Sequence, residues 1–165
     1  MVRGVHKGGG FSLLEMLVAL AIVAIAIGSA TLALRPDEQR RVNDEAERLA
    51  LLLEQAREES ELGGMPLAWA ATATGYEFQR RELTEAGSAW NVVRGDDLLR
   101  PRTWPLGLRI EHQEAAGRVV AQGERIRLEA DVTLRMELAL GPARARVVGD
   151  FAGYRVDGYR AEAVQ

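Results

Sequence analysis

From Phe11 to Leu34 the sequence runs for 24 residues with a single charge, Glu15. No other feature constrains the fold of this chain as tightly. A helix rising ~1.5 Å per residue over that length crosses a hydrocarbon layer about 30 Å thick. The run is built mainly of Leu, Ala, Ile and Val, with one glycine at Gly28, so it fits a membrane span better than a core helix. Ahead of it lies a short leader, MVRGVHKGGG, with two cations, Arg3 and Lys7.

Three arrangements accommodate this N-terminus. A secretory signal would be cut after the apolar region, and Gly28-Ser29-Ala30 supplies small residues, yet the run continues to Leu34. A plain anchor would stay uncut. Neither gives Glu15 a role, although an acid near the start of a span can reach the headgroups. At the membrane centre it would cost about 2.5–3.5 kcal/mol. In the third arrangement the chain is cut between Gly10 and Phe11. The new α-amino group of Phe11 is then a cation one helical turn from Glu15. In a packed array, Glu15 of one subunit pairs with the Phe11 amine of its neighbour. Neutralisation in low dielectric strengthens that pair, and an unpaired Glu15 stays costly, so pairing sets the register. Gly8, Gly9 and Gly10 give a protease an extended, accessible backbone.

The stretch GGGFSLLEMLVALAIVAIAIG resembles the class III signal of type IV prepilins and type II secretion pseudopilins. That signal has a short basic leader, Gly before the cut, Phe after it and Glu as the fifth mature residue. Gly10, Phe11 and Glu15 match it position by position. The resemblance implies cleavage by a membrane aspartic prepilin peptidase and N-methylation of Phe11. It also implies a single pass through a bacterial inner membrane with the C-terminal domain in the periplasm. Flanking charge leaves the orientation open, because Arg3 and Lys7 face Arg35, Arg40 and Arg41 across the run.

Pro36 predicts a kink or short break in a long helix. Beyond it, Val42, Ala46, Leu49, Leu53 and Ala56 recur at four-three spacing, one apolar stripe for packing on a sheet. Gly63-Gly64 ends that helix. The texture then changes to short alternating segments punctuated by Gly and Pro. PLAWAATATGYEFQRRE predicts a hairpin turning near Thr74-Gly75, SAWNVV a strand, and RGDDLLRPRTWPLG a loop. LRIEHQ predicts a strand with Leu108, Ile110 and His112 on one parity. RIRLEA and DVTLRMELAL place Ile126, Leu128, Ala130, Val132, Leu134, Met136 and Leu138 on one parity, as strands with one buried face do. ARARVVGD and GYRVDGYR finish the chain. Trp69 and Trp90, on predicted strands, are assigned to the core, and Trp104, in a loop between prolines, to its edge, with a contact patch as the alternative.

The expected organisation is α+β and pilin-like: a long N-terminal membrane-spanning helix packed on an antiparallel β-sheet or β-sandwich. Its parts are a leader at 1–10, a transmembrane and filament-core helix at 11–35, an amphipathic periplasmic helix at 36–64 and a β domain at 65–165. This ordering most resembles the H group of minor pseudopilins, which shares its family with FimT-like minor pilins. LLEQAREESELGGMPLAWAATATGYEFQ and DDLLRPRTWPLGLRIE carry that resemblance. The chain departs from the group in lacking an aromatic-Pro-x-Gly stretch before its late strands.

Residues that could carry chemistry are few. The absence of cysteine excludes disulfides, thiolate catalysis, Cys-based zinc sites and the acylated cysteine of a lipoprotein. Of the two histidines, His6 lies in the leader and His112 stands alone on its strand. Ser60 and Ser88 lack a nucleophile-elbow context. Asp96-Asp97 has no further spaced ligands for a calcium ion. No catalytic residue, metal site or cofactor is predicted. The formal net charge is −3, and losing Arg3 and Lys7 with the leader makes the chain more negative by two. That disfavours nucleic acid as a partner, leaving only a local cluster such as Arg144 with Arg146.

These readings predict a structural assembly subunit. The resemblance implies a minor pseudopilin of a type II protein secretion system, near the tip of the periplasmic pseudopilus, supporting export of folded proteins across the outer membrane. Its implied partners are other major and minor pseudopilins, the prepilin peptidase and the inner-membrane assembly platform. The alternative is a FimT-like minor pilin of a type IV pilus, serving pilus assembly or DNA uptake. A membrane-tethered enzyme would need a convergent polar cluster that the sequence does not supply.

Overall fold

The apolar run forms helix α1, Leu13–Ala33, and the amphipathic stretch after it forms α2, Glu38–Gly63. The structure is a computed structural model that describes residues 13–33, 38–85 and 87–157. Gly10, Phe11 and Pro36, the predicted cut and kink, lie outside the described residues. The chain divides into two compact units, Met1–Pro36 and Asp37–Gln165.

In the second unit the predicted stripe is the buried face of α2. Val42, Ala46, Leu49, Leu53 and Ala56 are all fully buried, and Ala50 and Leu52 widen the stripe. The helix closes on Gly63 and Gly64, the latter at φ 63°, a left-handed cap that glycine adopts without strain.

Among the described residues ten strands follow: β1 Leu67–Ala71, β2 Gly75–Thr84, β3 Gly87–Val92, β4 Arg102–Thr103, β5 Leu108–Ala115, β6 Arg118–Val119, β7 Arg125–Arg127, β8 Leu134–Leu140, β9 Ala143–Asp150 and β10 Gly153–Asp157. They form two antiparallel sheets. One has the order β3-β2-β1-β7, with β4 also on β2, and the other the order β10-β9-β8-β5-β6. α2 packs mainly on β8, β9 and β10 and also touches β1. One contiguous core joins α2 to both sheets, through Leu49, Leu53, Trp69, Phe78, Met136 and Val147. The α+β reading and the helix-on-antiparallel-sheet packing are what the structure contains.

The predicted hairpin is β1 and β2, closed by a bond from the Thr72 amide to the Gly75 carbonyl at 2.9 Å. The outer face of β1 departs from simple alternation, since Ala68 and Ala70 are buried too. Register explains this. Ala68 lies between Gln79 and Arg127, and Ala70 between Glu77 and Arg125, so long side chains on both neighbours shade the small ones.

Three expectations need correction. Trp90 is not a core residue. It is half-buried on β3, and the Arg125 guanidinium carbon lies 5.9 Å from its ring centroid. Ala130 is exposed, because a turn from Glu129 to Val132 breaks the long parity run. The run serves two sheets, with Ile126 on β7 and Leu134, Met136 and Leu138 on β8. His112 does not share a face with Leu108 and Ile110. The register of β5 against β8 shifts between Ile110 and His112, and this β-bulge turns His112 outward and Gln113 inward. The segment expected as a loop is one apart from the two residues of β4, and it also contributes to the core. Leu99 is fully buried, and Asp96 Oδ1 accepts the Leu98 and Leu99 amides at 2.7 and 2.9 Å, shaping the turn that delivers it. Trp104 covers the core edge as predicted, its ring 4.6 Å from that of Tyr76.

Candidate assembly segment

α1 has no polar face. Its described side chains, Leu13 to Ile25, are exposed on every side, from Leu13 at 82% to Val18 at 51%. A helix apolar all round is stable only inside a membrane or a bundle of other helices. Among the described residues no helix is long and apolar enough to cross a membrane. The described side chains of α1 stop at Ile25, whereas its backbone continues to Ala33 and the apolar run of the sequence to Leu34. Glu15 is exposed in the first turn of α1, where a helix N-terminus favours an anion.

The serines and the aspartate considered in the sequence serve the fold. Ser60 Oγ accepts the Leu67 amide at 3.1 Å, and Ser88 Oγ accepts Arg81. The Asp96 carboxylate is occupied by backbone amides. Among the described residues no three His, Asp or Glu side chains gather as metal ligands. Arg144 pairs with Glu111 at 2.6 Å and Arg146 with Glu137 at 3.2 Å, so the cluster considered for phosphates is met by acids.

Two networks were not legible in the sequence. Glu54 Oε2 accepts the Tyr154 amide at 2.9 Å while its other oxygen takes Arg57, and Arg57 also donates to the Asp150 carbonyl at 3.2 Å. These contacts, a hundred residues apart in sequence, pin β10 to α2. Asp150 is itself held below the usual carboxylate range, first by the Ala152 amide and then by Arg155. Gln113, turned inward by the bulge, donates through Nε2 to the Val120 and Ala121 carbonyls at 3.0 and 2.9 Å. It lines an open groove of about 430 Å³ between Ala71–Ala73 and β5.

Comparison with known proteins agrees at both ends of the chain. Residues 6–31, which include Gly10, Phe11 and Glu15, match the family described as the prokaryotic N-terminal methylation motif. No curated protein sequence matches the chain. Among solved structures the chain is similar to the minor pseudopilin EpsH from the type 2 secretion system of Vibrio cholerae. The TM-score is 0.54 at 16% identity, covering 72% of this chain and 97% of EpsH. The motif implies processing by a prepilin peptidase and a pilus or pseudopilus setting, and it suggests inner-membrane anchoring with a periplasmic domain. A segment matching the methylation motif thus precedes a helix packed on two antiparallel sheets, and the fold is pilin-like, similar to that of EpsH.

Proposed function

We propose that the chain is a minor pseudopilin of a type II protein secretion system. It acts as a structural subunit of the periplasmic pseudopilus, near the tip, and not as a catalyst. The observation that carries this reading is the motif-matching segment, with Glu15 fifth after the Gly10–Phe11 junction and a helix apolar on every described face behind it. In this account residues 1–10 are the leader, removed by the prepilin peptidase, and Phe11 is then N-methylated. Residues 11–35 hold the subunit in the inner membrane and later in the filament core. Pro36 kinks the helix, 36–64 continue it into the periplasm, and 65–165 form the periplasmic β domain. Glu15 pairs with the N-terminal amine of a neighbouring subunit, so charge neutralisation sets register as the subunit leaves the membrane.

Deletion of the gene in its own host tests the reading. Secreted proteins should accumulate, folded, in the periplasm. Wild-type copies should restore export, and Glu15→Val copies should not. Normal export with impaired pilus-dependent DNA uptake would instead transfer the chain to the FimT-like pilins.

A further inference from the structure

The second unit has two different ends along α2. At one end Gln39 Nε2 donates to the Arg144 carbonyl at 2.7 Å, and Gly141 lies against the Glu38 carboxylate. A Cβ at Gly107 would sit 3.4 Å from Leu140 Cδ1, so the turn before β5 lies beside the turn after β8. At the other end Glu54 and Arg57 hold the β9–β10 turn, which carries Phe151. Gln39 and Arg57 stand about 27 Å apart along the helix.

The first end displays a leucine on a closed turn. The Leu108 amide donates to the Pro105 carbonyl at 3.0 Å, with Leu106 and Gly107 between them and Gly107 at φ 87°. Leu106 is 100% exposed, and nothing in the turn requires an apolar side chain there. A lone exposed leucine is ordinary, but its surroundings are not. Arg40, Arg41, Arg109 and Arg144 lie at this end against Glu38, Asp44 and Glu111. Arg109 and Arg144 both close on Glu111, at 2.5 and 2.6 Å, so two cations share one acid. The far half of α2 has the opposite sign, with Glu54, Glu58, Glu59 and Glu61 against Arg57 and, from β2, Arg80. In a chain of net charge −3 the positive end is the exception. It is also the end that follows the apolar run, since only residues 34–37 separate Ala33 of α1 from Glu38 of α2.

We propose that this end of the second unit, built from the first turn of α2 and the turns at 105–108 and 140–143, rests on an anionic lipid surface, with Leu106 entering its interfacial layer. The arginines meet lipid phosphates, and the acidic far end is repelled, so the charge layout orients the unit. One leucine and a small excess of cations bind weakly, but a tether of a few residues makes a weak contact sufficient. This surface rests on the assembly reading above, in which α1 lies in the membrane, and it belongs to the subunit before it leaves the bilayer.

The chain has no cysteine, so Leu106→Cys, Phe151→Cys and, within α1, Leu17→Cys each give one labelling site. Each full-length variant is labelled with an environment-sensitive dye and placed in lipid nanodiscs with or without phosphatidylglycerol. Lipids brominated near the headgroup end of their acyl chains then quench any dye within reach. Quenching at 106 should exceed that at 151 about threefold in phosphatidylglycerol discs. Arg40→Glu with Arg41→Glu should lower it to the level of neutral discs, as should high salt. An unchanged melting temperature certifies the fold, since all the substituted residues of the second unit are exposed. Equal quenching at 106 and 151, or quenching at 106 that ignores lipid charge, overturns the proposal. The dye at 17 separates the two failures. If it is quenched while 106 is not, only this surface fails, whereas an unquenched dye at 17 removes α1 from the membrane and the assembly reading fails with it.

Discussion

Tyr76 carries its hydroxyl into the core without a hydrogen-bond partner among the described residues, and burial pushes its pKa up to about 12, against an opposing pull from Arg102. Tyr154 is raised to about 12 by burial in the same way. A folded-state value above the unfolded value near 10 means that folding favours the neutral phenol. That contribution is complete below about pH 10 and is lost as pH rises toward about 12. Stability should therefore fall through this alkaline window. Tyr76→Phe should shrink the fall and, by deleting an unsatisfied buried hydroxyl, stabilise the protein by up to about 1 kcal/mol at neutral pH. Urea denaturation at neutral and alkaline pH measures both effects, and a clear loss at neutral pH would show that the hydroxyl is bonded. The burial of Tyr76 follows the alternation of its strand, but its orphaned hydroxyl depends on what packs around it from Trp104 and Arg102. No spacing rule in the sequence encodes that.

Periodicity decided which elements were legible. The α2 stripe and the β1–β2 hairpin follow from local pattern, because side-chain direction repeats at a fixed interval in each. Where one residue breaks the interval, pattern reading fails. The bulge in β5 exchanges His112 for Gln113, and the turn at Glu129–Val132 splits one apparent strand between two sheets. Trp90 shows the same limit, since a strand's two faces look alike until the core chooses one. Trp69→Ala should cost about 3–5 kcal/mol as a core cavity, while Trp90→Ala should cost about 1 kcal/mol or less, because it loses only a surface contact with Arg125. Parallel thermal melts distinguish them, and equal losses would refute the assignment of faces. The clamp of β10 on α2 predicts that Glu54→Ala costs about 1–2 kcal/mol. It should also speed amide exchange at Tyr154 well before the strands of the central hairpin. Uniform exchange across the domain would show that β10 has no local stability of its own.

For the whole molecule, the apolar N-terminal helix sets the main constraint. An apolar helix without a polar face requires other helices or lipid around it, and the second unit carries a core that includes both sheets. The candidate site was legible because its motif is linear in sequence: Gly10, Phe11 and Glu15 are found by spacing alone. The composition of the outer face of the β3-β2-β1-β7 sheet was not, because register alone brings Arg81, Trp90 and Arg125 onto one surface. The central claim is that a cut between Gly10 and Phe11 creates the working N-terminus. Lys7 is the only lysine, so that cut leaves the chain with a single amine, at Phe11. The most direct measurement is mass spectrometry of the N-terminus of full-length protein expressed with and without a prepilin peptidase. The account predicts a chain beginning at N-methylated Phe11 only when the peptidase is present. A chain that still begins at Met1, or one cut after Ala30, would contradict it.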